Sequence, residues 1–556
     1  MIGTARDVVR DAIAAGLLAA GDELGWGDQA RAVAVDVERP AEKAHGDYAA
    51  NIAMRLAKPL RRPPLEIAKA IAARVPRRDE IASVEAAPPG FINVRLAPAW
   101  LAQQVEVIAR TGAAFGRTDA LKGQQIQVEF ISANPTGPMT IANARGGPIG
   151  DVLANVLAFH GATVTREHYV NDRGGRVLAL GESVAVRFRE LRGDTSVPFP
   201  ADGYPADYIT EVAKAIEAEG GERYASLPFE EQAQVFTKLA QQRFVEGFKK
   251  TADRLGVHFD SWFFESEMLE SGYFQETFEA LQRANALEER DGAIWLKSKE
   301  LGEDIESVVV RSNGIPTYLG IDIAYHRHAL VERGLDRKID IWGANTHGHL
   351  RKMRTAMLAL GLLARWDVVI YQYVKFIHEG VLLKMGKRLA QFLLLDDVID
   401  AVGKDVTRWF FLMVSADRTM EFDFELAVQQ SNENPAYYVQ YAHARIASIF
   451  RTAAERGLVT GGCDVSLLTD EAELDLVRLM LRFPELVAEI RDKHNVHLLT
   501  GYGLELAGVF HAFYKGNRVV GDDEARSKAR LRLVEAVGVT LRQTLGLLGV
   551  GAPESM

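Results

Sequence analysis

Apolar residues recur along this chain with two different periods, and the changes of period divide it. Residues 1–18 space them at helical intervals with Asp7 and Asp11 on the polar side, which predicts a helix of the mature fold and not a secretory signal. Residues 33–38 alternate as a strand, and residues 47–58 return to helical spacing. A second helix over 65–75 is opened by Pro63 and Pro64, which suit a first turn. Residues 81–86 and 91–96 read as strands around the turn Pro88-Pro89-Gly90, and a helix comes next over 100–110. Together these predict an α+β unit over residues 1 to about 115.

The pattern changes after Gln124. A strand over 125–131 leads into the loop Ser132 to Pro138, a helix from near Asn143 to about His160, and a strand over 163–170. That order is a βαβ unit and predicts a parallel sheet. Residues 202–256 are charged and helical, which suits an insertion. Strand patterns return at 293–297, 307–310, 339–342 and 368–374, with a helix after the second. Residues 116–396 are therefore expected to form a doubly wound α/β domain with a helical insertion over about 200–256. Residues 397–556 show only helical periodicity, with long amphipathic stretches at 471–491 and 500–514, and predict an all-α bundle.

Composition narrows the classes. Apolar residues at 48% and charged residues at 25% fit an ordinary globular protein and exclude a mainly disordered chain. One cysteine, Cys463, excludes a disulfide framework and a multi-cysteine metal site, and fits a reducing cytoplasm. No apolar run is long enough for a membrane helix, so no membrane partner is expected. The net charge of −10 excludes a bulk-basic nucleic-acid coat but leaves room for a local basic face.

Four places carry candidate chemistry. The loop Ser132 to Asn143 joins a sheet strand to a helix, where anions meet free N–H groups; a plain connection with two prolines fits the position equally. Lys384-Met385-Gly386-Lys387-Arg388 puts three cations on a short loop, as a polyphosphate clamp or as a solvated basic turn. Tyr318 and Asp322 share one helix face, suited to a cationic ligand or simply to a surface helix start. His347 and His349 have no third metal ligand nearby and read as ordinary loop histidines, so no metal site is expected. In the bundle, Tyr437, Tyr438, Tyr441, His443 and Arg445, with His511, Tyr514, Lys515 and Arg518, could stack and clamp unpaired bases or form core with polar rims.

Across the whole chain these motifs resemble the arginyl-tRNA synthetases, a family of class I aminoacyl-tRNA synthetases. Residues 128–146, VEFISANPTGPMTIANARG, are similar to the family's VEFxSANPTGPxHxGHARG signature. REHYVND at 166–172, VRSNGIPTYLGIDIAYH at 310–326, NENPAYYVQYAHAR at 432–445 and the terminal LGVGAPESM resemble later family segments. Arg39-Pro40, His45-Gly46-Asp47-Tyr48 and Gly90-Phe91-Ile92-Asn93 resemble the added N-terminal domain, which touches the tRNA elbow.

The resemblance implies arginine–tRNA ligation: ATP activates arginine to the adenylate, which is transferred to tRNA(Arg). It implies Glu129, Asn134, Tyr318, Asp322 and, less directly, Glu265 at the amino group and guanidinium of arginine. It implies Pro135, Gly137, Ala142, Gly343, Met385 and Gly386 at ATP, with Thr140, Asn143, Lys384, Lys387 and Arg388 as catalytic donors. Magnesium would accompany ATP, and Tyr438, Tyr441, Arg445 and Tyr514 would face tRNA. A cytoplasmic monomer is expected.

The nucleotide site departs from the family pattern. Thr140-Ile141-Ala142-Asn143 stands for His-x-Gly-His, Gly386 for serine in the clamp, Leu389-Ala390-Gln391 for Ala-Gly-Asn, and Asn345-Thr346 for Asp-His. Thr-x-Gly-Asn resembles the version in bacterial tryptophanyl-tRNA synthetases. The same departures support a second reading: a weakened paralogue that binds tRNA or arginine in a regulatory, resistance or biosynthetic role.

Overall fold

The computed structural model describes residues 4–303, 305–378, 381–382 and 394–556. Helix Ala5–Leu24 opens the chain under a capping box, in which the Thr4 and Asp7 side chains each accept the other's backbone N–H at 3.2 and 2.9 Å. Strands Tyr48–Ala50 (β1), Ile81–Ala87 (β2) and Phe91–Leu96 (β3) form an antiparallel sheet in the order β1-β3-β2. Two expectations are corrected here. Residues 33–38 form no strand, since only Glu38 bridges to Ala49. Residues 48–50 are a strand and the helix is Ile52–Leu60, because pairing with β3 overrides the helical preference of Ala49 and Ala50.

Gln125–Glu129 (β4), Thr163–Val170 (β5) and Ser261–Phe264 (β6) come next. Leu287–Arg290 (β7), Ala293–Leu296 (β8) and Val308–Val310 (β9) make a separate antiparallel sheet, and Arg337–Gly343 (β10) and Trp366–Tyr371 (β11) lie beyond them in the chain. Five of these strands form one parallel sheet in the order β11-β10-β4-β5-β6. The winding reverses between β4 and β10, which is where doubly wound sheets bind ligands at their carboxyl ends. Helix Gly146–Phe159 lies buried beside β4 and β5. Gly150 permits its close approach, since a Cβ there would come within 2.3 Å of the Phe130 ring. Helices Gly175–Leu191, Asp207–Ala218 and Phe229–Arg254 enclose their own core around Phe188, Ile209 and Phe236.

The stretch 368–374 is not one strand. β11 ends at Tyr371, and Val374–His378 (β12) starts a further sheet with Val381–Leu382 (β13) and Met420–Asp423 (β14). β14 lies in a region expected to be wholly helical; its buried Phe422 packs on Phe376 of β12, with ring centroids 5.5 Å apart. Beyond it, helices Pro435–Glu455, Glu471–Met480, Arg482–Lys493, Leu498–Gly516 and Glu524–Leu548 form the bundle. The amphipathic stretch 471–491 is two helices with a break at Leu481.

Two fully buried arginines fasten the α/β domain to the C-terminal part of the chain. Arg145 donates to the carbonyls of Gln372, Val414, Ser415 and Arg418 at 2.8 to 3.0 Å. Arg408 donates to Asp151 at 2.6 Å and to the Leu548 carbonyl at 2.8 Å. Among the described residues no helix is long and apolar enough to cross a membrane.

Candidate active site

The carboxyl ends of β4, β5, β10 and β11 surround a cavity of about 340 Å3 whose lining includes Glu129, Asn134, Tyr169, Tyr318, Asp322 and His349. Helix Tyr318–Arg327 supplies one wall. Thr317 caps it by accepting from Gly320 N at 3.2 Å, and Gly320 itself leaves no room for a Cβ, which would lie 2.6 Å from the Val309 carbonyl. The helix start is thereby pressed against β9, and Tyr318, Asp322 and His326 recur at four-residue intervals on one face. Ile131 and Ser132 adopt positive φ of 70° and 31° just after β4. That turn lets the Ser132 hydroxyl donate to Glu129 at 2.7 Å.

A chain of alternating charge runs behind the cavity. Lys338 Nζ donates to Glu129 Oε2 at 2.8 Å and lies 2.7 Å from Asp340 Oδ1. His326 Nε2 reaches Asp340 Oδ2 at 2.8 Å, and its Nδ1 lies 2.7 Å from the Asp322 carbonyl and 3.2 Å from the Asp322 carboxylate. His349 Nε2 bonds the other Asp322 carboxylate oxygen. Burial opposes the charge on His326, but Asp340 and Asp322 outweigh it and push its pKa up to about 10. Burial would likewise raise Asp322, yet His326 and His349 hold it well below the usual carboxylate range. One lysine cannot serve two buried acids equally. Asp340, paired with both Lys338 and His326, stays low, whereas burial and the Asp340 charge leave Glu129 raised to about 7 despite Lys338. The wall facing the cavity is thus acidic, and its carboxylates suit a ligand carrying ammonium or guanidinium groups.

Tyr318 stands 58% exposed at the rim, with its ring 5.1 Å from that of His349. Glu265 sits one side chain behind the lining, where it accepts from the Tyr169 hydroxyl at 3.0 Å. Burial raises it to about 7, with Asp172 and Asp322 adding to the effect and the Tyr169 bond offsetting part of it. Sequence reasoning missed Tyr169, Lys338 and His326, and it set His349 aside as an ordinary loop histidine. The four-residue spacing from Asp322 was a usable signal for His326. None existed for Lys338, whose partner Glu129 is distant in sequence.

A second cleft of about 460 Å3 adjoins the first and shares Asn134 with it. Gly137 and Thr140 line it from the strand–helix loop, and Tyr204 and Tyr208 line it from the helical insertion. Tyr208 donates to the Thr136 carbonyl at 3.2 Å, and a Cβ on Gly137 would sit 2.9 Å from the Tyr208 hydroxyl. Pro135, itself part of that loop, is buried, and Ala142 and Asn143 belong to the short helix Ile141–Ala144. Gly343 lines the acidic cavity at the end of β10. Lys384, Met385, Gly386, Lys387 and Arg388 lie outside the described residues. Among the described residues no group of three His, Cys, Asp or Glu side chains could hold a metal ion.

The helical bundle carries a separate basic and aromatic recess of about 830 Å3, lined by Tyr441, Arg445, Arg451, Tyr514, Lys515 and Arg518 among others. The Arg445 guanidinium lies 4.8 Å from the Tyr441 ring centroid and 5.0 Å from that of Tyr514. Tyr438 is half-buried beside the recess, with its ring 4.9 Å from that of His511. Cations between aromatic faces suit stacked nucleobases and their phosphates.

Three family models match in series. Residues 6–96 match the arginyl tRNA synthetase N terminal domain, residues 105–402 the catalytic domain of class I (R) tRNA synthetases, and residues 439–556 the DALR anticodon binding domain. An arginine–tRNA ligase of Carboxydothermus hydrogenoformans is 42% identical over 551 residues, 98% of this chain and 97% of that protein. An arginine–tRNA ligase of Geobacillus kaustophilus is 40% identical over 99% of this chain and 98% of its own length. The fold is similar to that of Thermus thermophilus arginyl-tRNA synthetase, with a TM-score of 0.80, 22% identity and both chains covered in full. With an acidic cavity at the sheet's switch point and a basic aromatic recess in the bundle, this chain belongs to the arginyl-tRNA synthetase family.

Proposed function

We propose that this protein is an arginine–tRNA ligase that activates arginine with ATP and transfers it to tRNA(Arg). The observation that carries this reading is the acidic cavity between β4 and β10, in a chain 42% identical over 98% of its length to a protein named for that activity. In this reading Asp322, Glu129, Asn134 and Tyr318 hold the two cationic groups of arginine, and Glu265 orients Tyr169 behind them. The arginine carboxylate then attacks the α-phosphate of ATP, and pyrophosphate leaves. ATP occupies the adjoining cleft against Gly137, reaching Gly343 where that cleft meets the acidic cavity, and the family resemblance assigns Pro135, Ala142, Met385 and Gly386 to the same nucleotide. Thr140, Asn143, Lys384, Lys387 and Arg388 supply donors toward the phosphates, and magnesium accompanies the nucleotide. In the second step a ribose hydroxyl of tRNA takes the arginyl group and AMP leaves. Tyr438, Tyr441, Arg445 and Tyr514 receive the anticodon arm. We read the protein as a cytoplasmic monomer.

Arginine-dependent ATP–pyrophosphate exchange, with and without tRNA(Arg), together with tRNA charging, tests the reading. Exchange and charging are the expected result, and they would make Thr-Ile-Ala-Asn a working substitute for His-x-Gly-His. A folded protein that binds tRNA but shows no exchange in its presence would overturn the ligase reading.

A further inference from the structure

The loop between the two cavities is met in its middle by a residue of the helical insertion. Its ends are fixed elsewhere: Ser132 donates to Glu129 at 2.7 Å, and the Met139 carbonyl accepts from Leu395 N at 3.1 Å. Between them, Thr136 N donates to the Asn134 carbonyl at 2.8 Å, which ties the middle of the loop to the residue that lines both cavities. The Thr136 carbonyl in turn accepts from Tyr208 Oη at 3.2 Å. Tyr208 is the second residue of helix Asp207–Ala218, and its ring packs edge-on against Phe244 of helix Phe229–Arg254, with centroids 5.7 Å apart. The tyrosine thus belongs to the insertion's own packing and reaches the loop through its hydroxyl end. Gly137 completes the contact. The three atoms nearest to a Cβ placed there all belong to Tyr208: Oη at 2.9 Å, Cζ at 3.0 Å and Cε2 at 3.4 Å. A methyl group at 137 would force the ring or the loop to shift.

We propose that Tyr208 is a positioning residue for the nucleotide: from the insertion it holds the middle of the loop 132–140, and so sets the surface that this loop presents to ATP. The inference rests on the proposed reading of the adjoining cleft as the ATP site. A glycine at 137 admits two explanations, which differ in what the bare backbone meets. It can let a nucleotide approach the chain, or it can let an aromatic ring do so. The close approach in this structure is to the Tyr208 ring. The insertion helices enclose their own core, so Tyr208 moves with that body, and any shift of the body relative to the sheet passes to the loop through Thr136. The charged groups of the acidic cavity are held by other partners: Glu129 by Lys338, and Asp322 by His326 and His349. Tyr208 therefore acts on ATP and leaves most of the hold on arginine in place.

Arginine-dependent ATP–pyrophosphate exchange by the full-length protein, with tRNA(Arg) present and each substrate varied in turn, provides the test. Tyr208→Phe removes only the hydroxyl. It should raise the KM for ATP roughly fivefold, the worth of one hydrogen bond, and leave the KM for arginine within about twofold. A merely structural role would lower the active fraction, and hence kcat, with both KM values in place. Gly137→Ala then separates the ring from the nucleotide. In the wild-type background it should raise the KM for ATP roughly tenfold, because the added methyl overpacks the contact and displaces the loop. In a Tyr208→Leu background, where Oη and Cζ are gone, adding Gly137→Ala should cost at most about twofold. If Y208L does not unfold cooperatively on heating, Tyr208→Met provides the same comparison. A KM for ATP unchanged in Y208F, or a Gly137→Ala penalty of the same size in both backgrounds, would overturn the role of Tyr208 while leaving the ligase reading intact. Absence of exchange in the folded wild type would overturn that reading and the proposal with it.

Discussion

At Asp322 two histidines draw on one carboxylate, and they hold its pKa low; in the proposed reading an incoming cation draws on the same group. The carboxylate stays charged although its side chain is only 13% exposed, because His326 and His349 outweigh the desolvation. An asparagine in its place would keep the shape and remove the charge. Charge-assisted hydrogen bonds contribute about 1.5–3 kcal/mol each, so Asp322→Asn should weaken arginine binding by roughly 10- to 150-fold. Affinity for tRNA should not change, because the recess of Tyr441, Arg445 and Tyr514 belongs to a different domain and is lined by other residues. Calorimetry with arginine and filter binding with tRNA(Arg) separate the two effects. An unchanged arginine affinity would remove Asp322 from the site. Ser132 illustrates a subtler residue-scale effect. Its φ of 31° is uncommon for a side-chain-bearing residue, and the turn it makes carries its hydroxyl to Glu129 at 2.7 Å.

At the scale of elements, helix Tyr318–Arg327 is tied to β10 by the pair His326–Asp340, both fully buried. The His326 pKa is raised from an ordinary 6.5 to about 10, so the folded protein binds this proton more tightly than the unfolded chain. The stability it contributes is complete below about pH 6.5 and is lost as pH rises toward about 10. Wild type should lose at most about 1.4 kcal/mol per pH unit through this group in that window. His326→Gln should flatten that part of the curve, as urea unfolding at several pH values would show. The raised Glu129 acts below about pH 7, so its contribution barely enters the window. This pair also marks where the sequence stops being legible. The strand over 339–342 was legible from its apolar run, and the ends of β5 matched the expected 163–170. Lys338 and Asp340 are equally part of β10 but gave no sign of burial, because Glu129 lies 209 residues before Lys338. Tyr318 and Asp322 were legible because one helix turn brings them together. Residues 33–38 alternate convincingly but find no strand partner beyond the single Glu38–Ala49 bridge.

At the scale of the molecule, the N-terminal domain is clasped to the helical bundle through one buried carboxylate. Glu485 receives two hydrogen bonds from Arg39, at 3.0 and 3.1 Å, and one from the Tyr48 hydroxyl, and Arg6 lies 3.4 Å away. Asp47 pairs with Arg478 at 2.7 Å beside it. Arg39, Asp47 and Tyr48 lie within the match to the arginyl tRNA synthetase N terminal domain, and these three side chains face the bundle. The clasp therefore fixes how the N-terminal domain sits against the bundle. The Glu485 side chain is only 2% exposed, so removing Arg39 leaves a charge that water cannot reach with only Arg6 and the Tyr48 hydroxyl to hold it. Breaking a buried pair from one side costs about 3–5 kcal/mol, whereas removing both charges together is far milder. Arg39→Met should therefore be strongly destabilising and should speed proteolysis between the two domains. Arg39→Met combined with Glu485→Gln should recover most of that loss, since the neutral amide still accepts from Tyr48. A double-mutant cycle read by denaturant unfolding measures the coupling directly. Additive losses would mean that Arg39 and Glu485 are not coupled, and that the two domains are held by their other contacts, the Asp47–Arg478 pair among them.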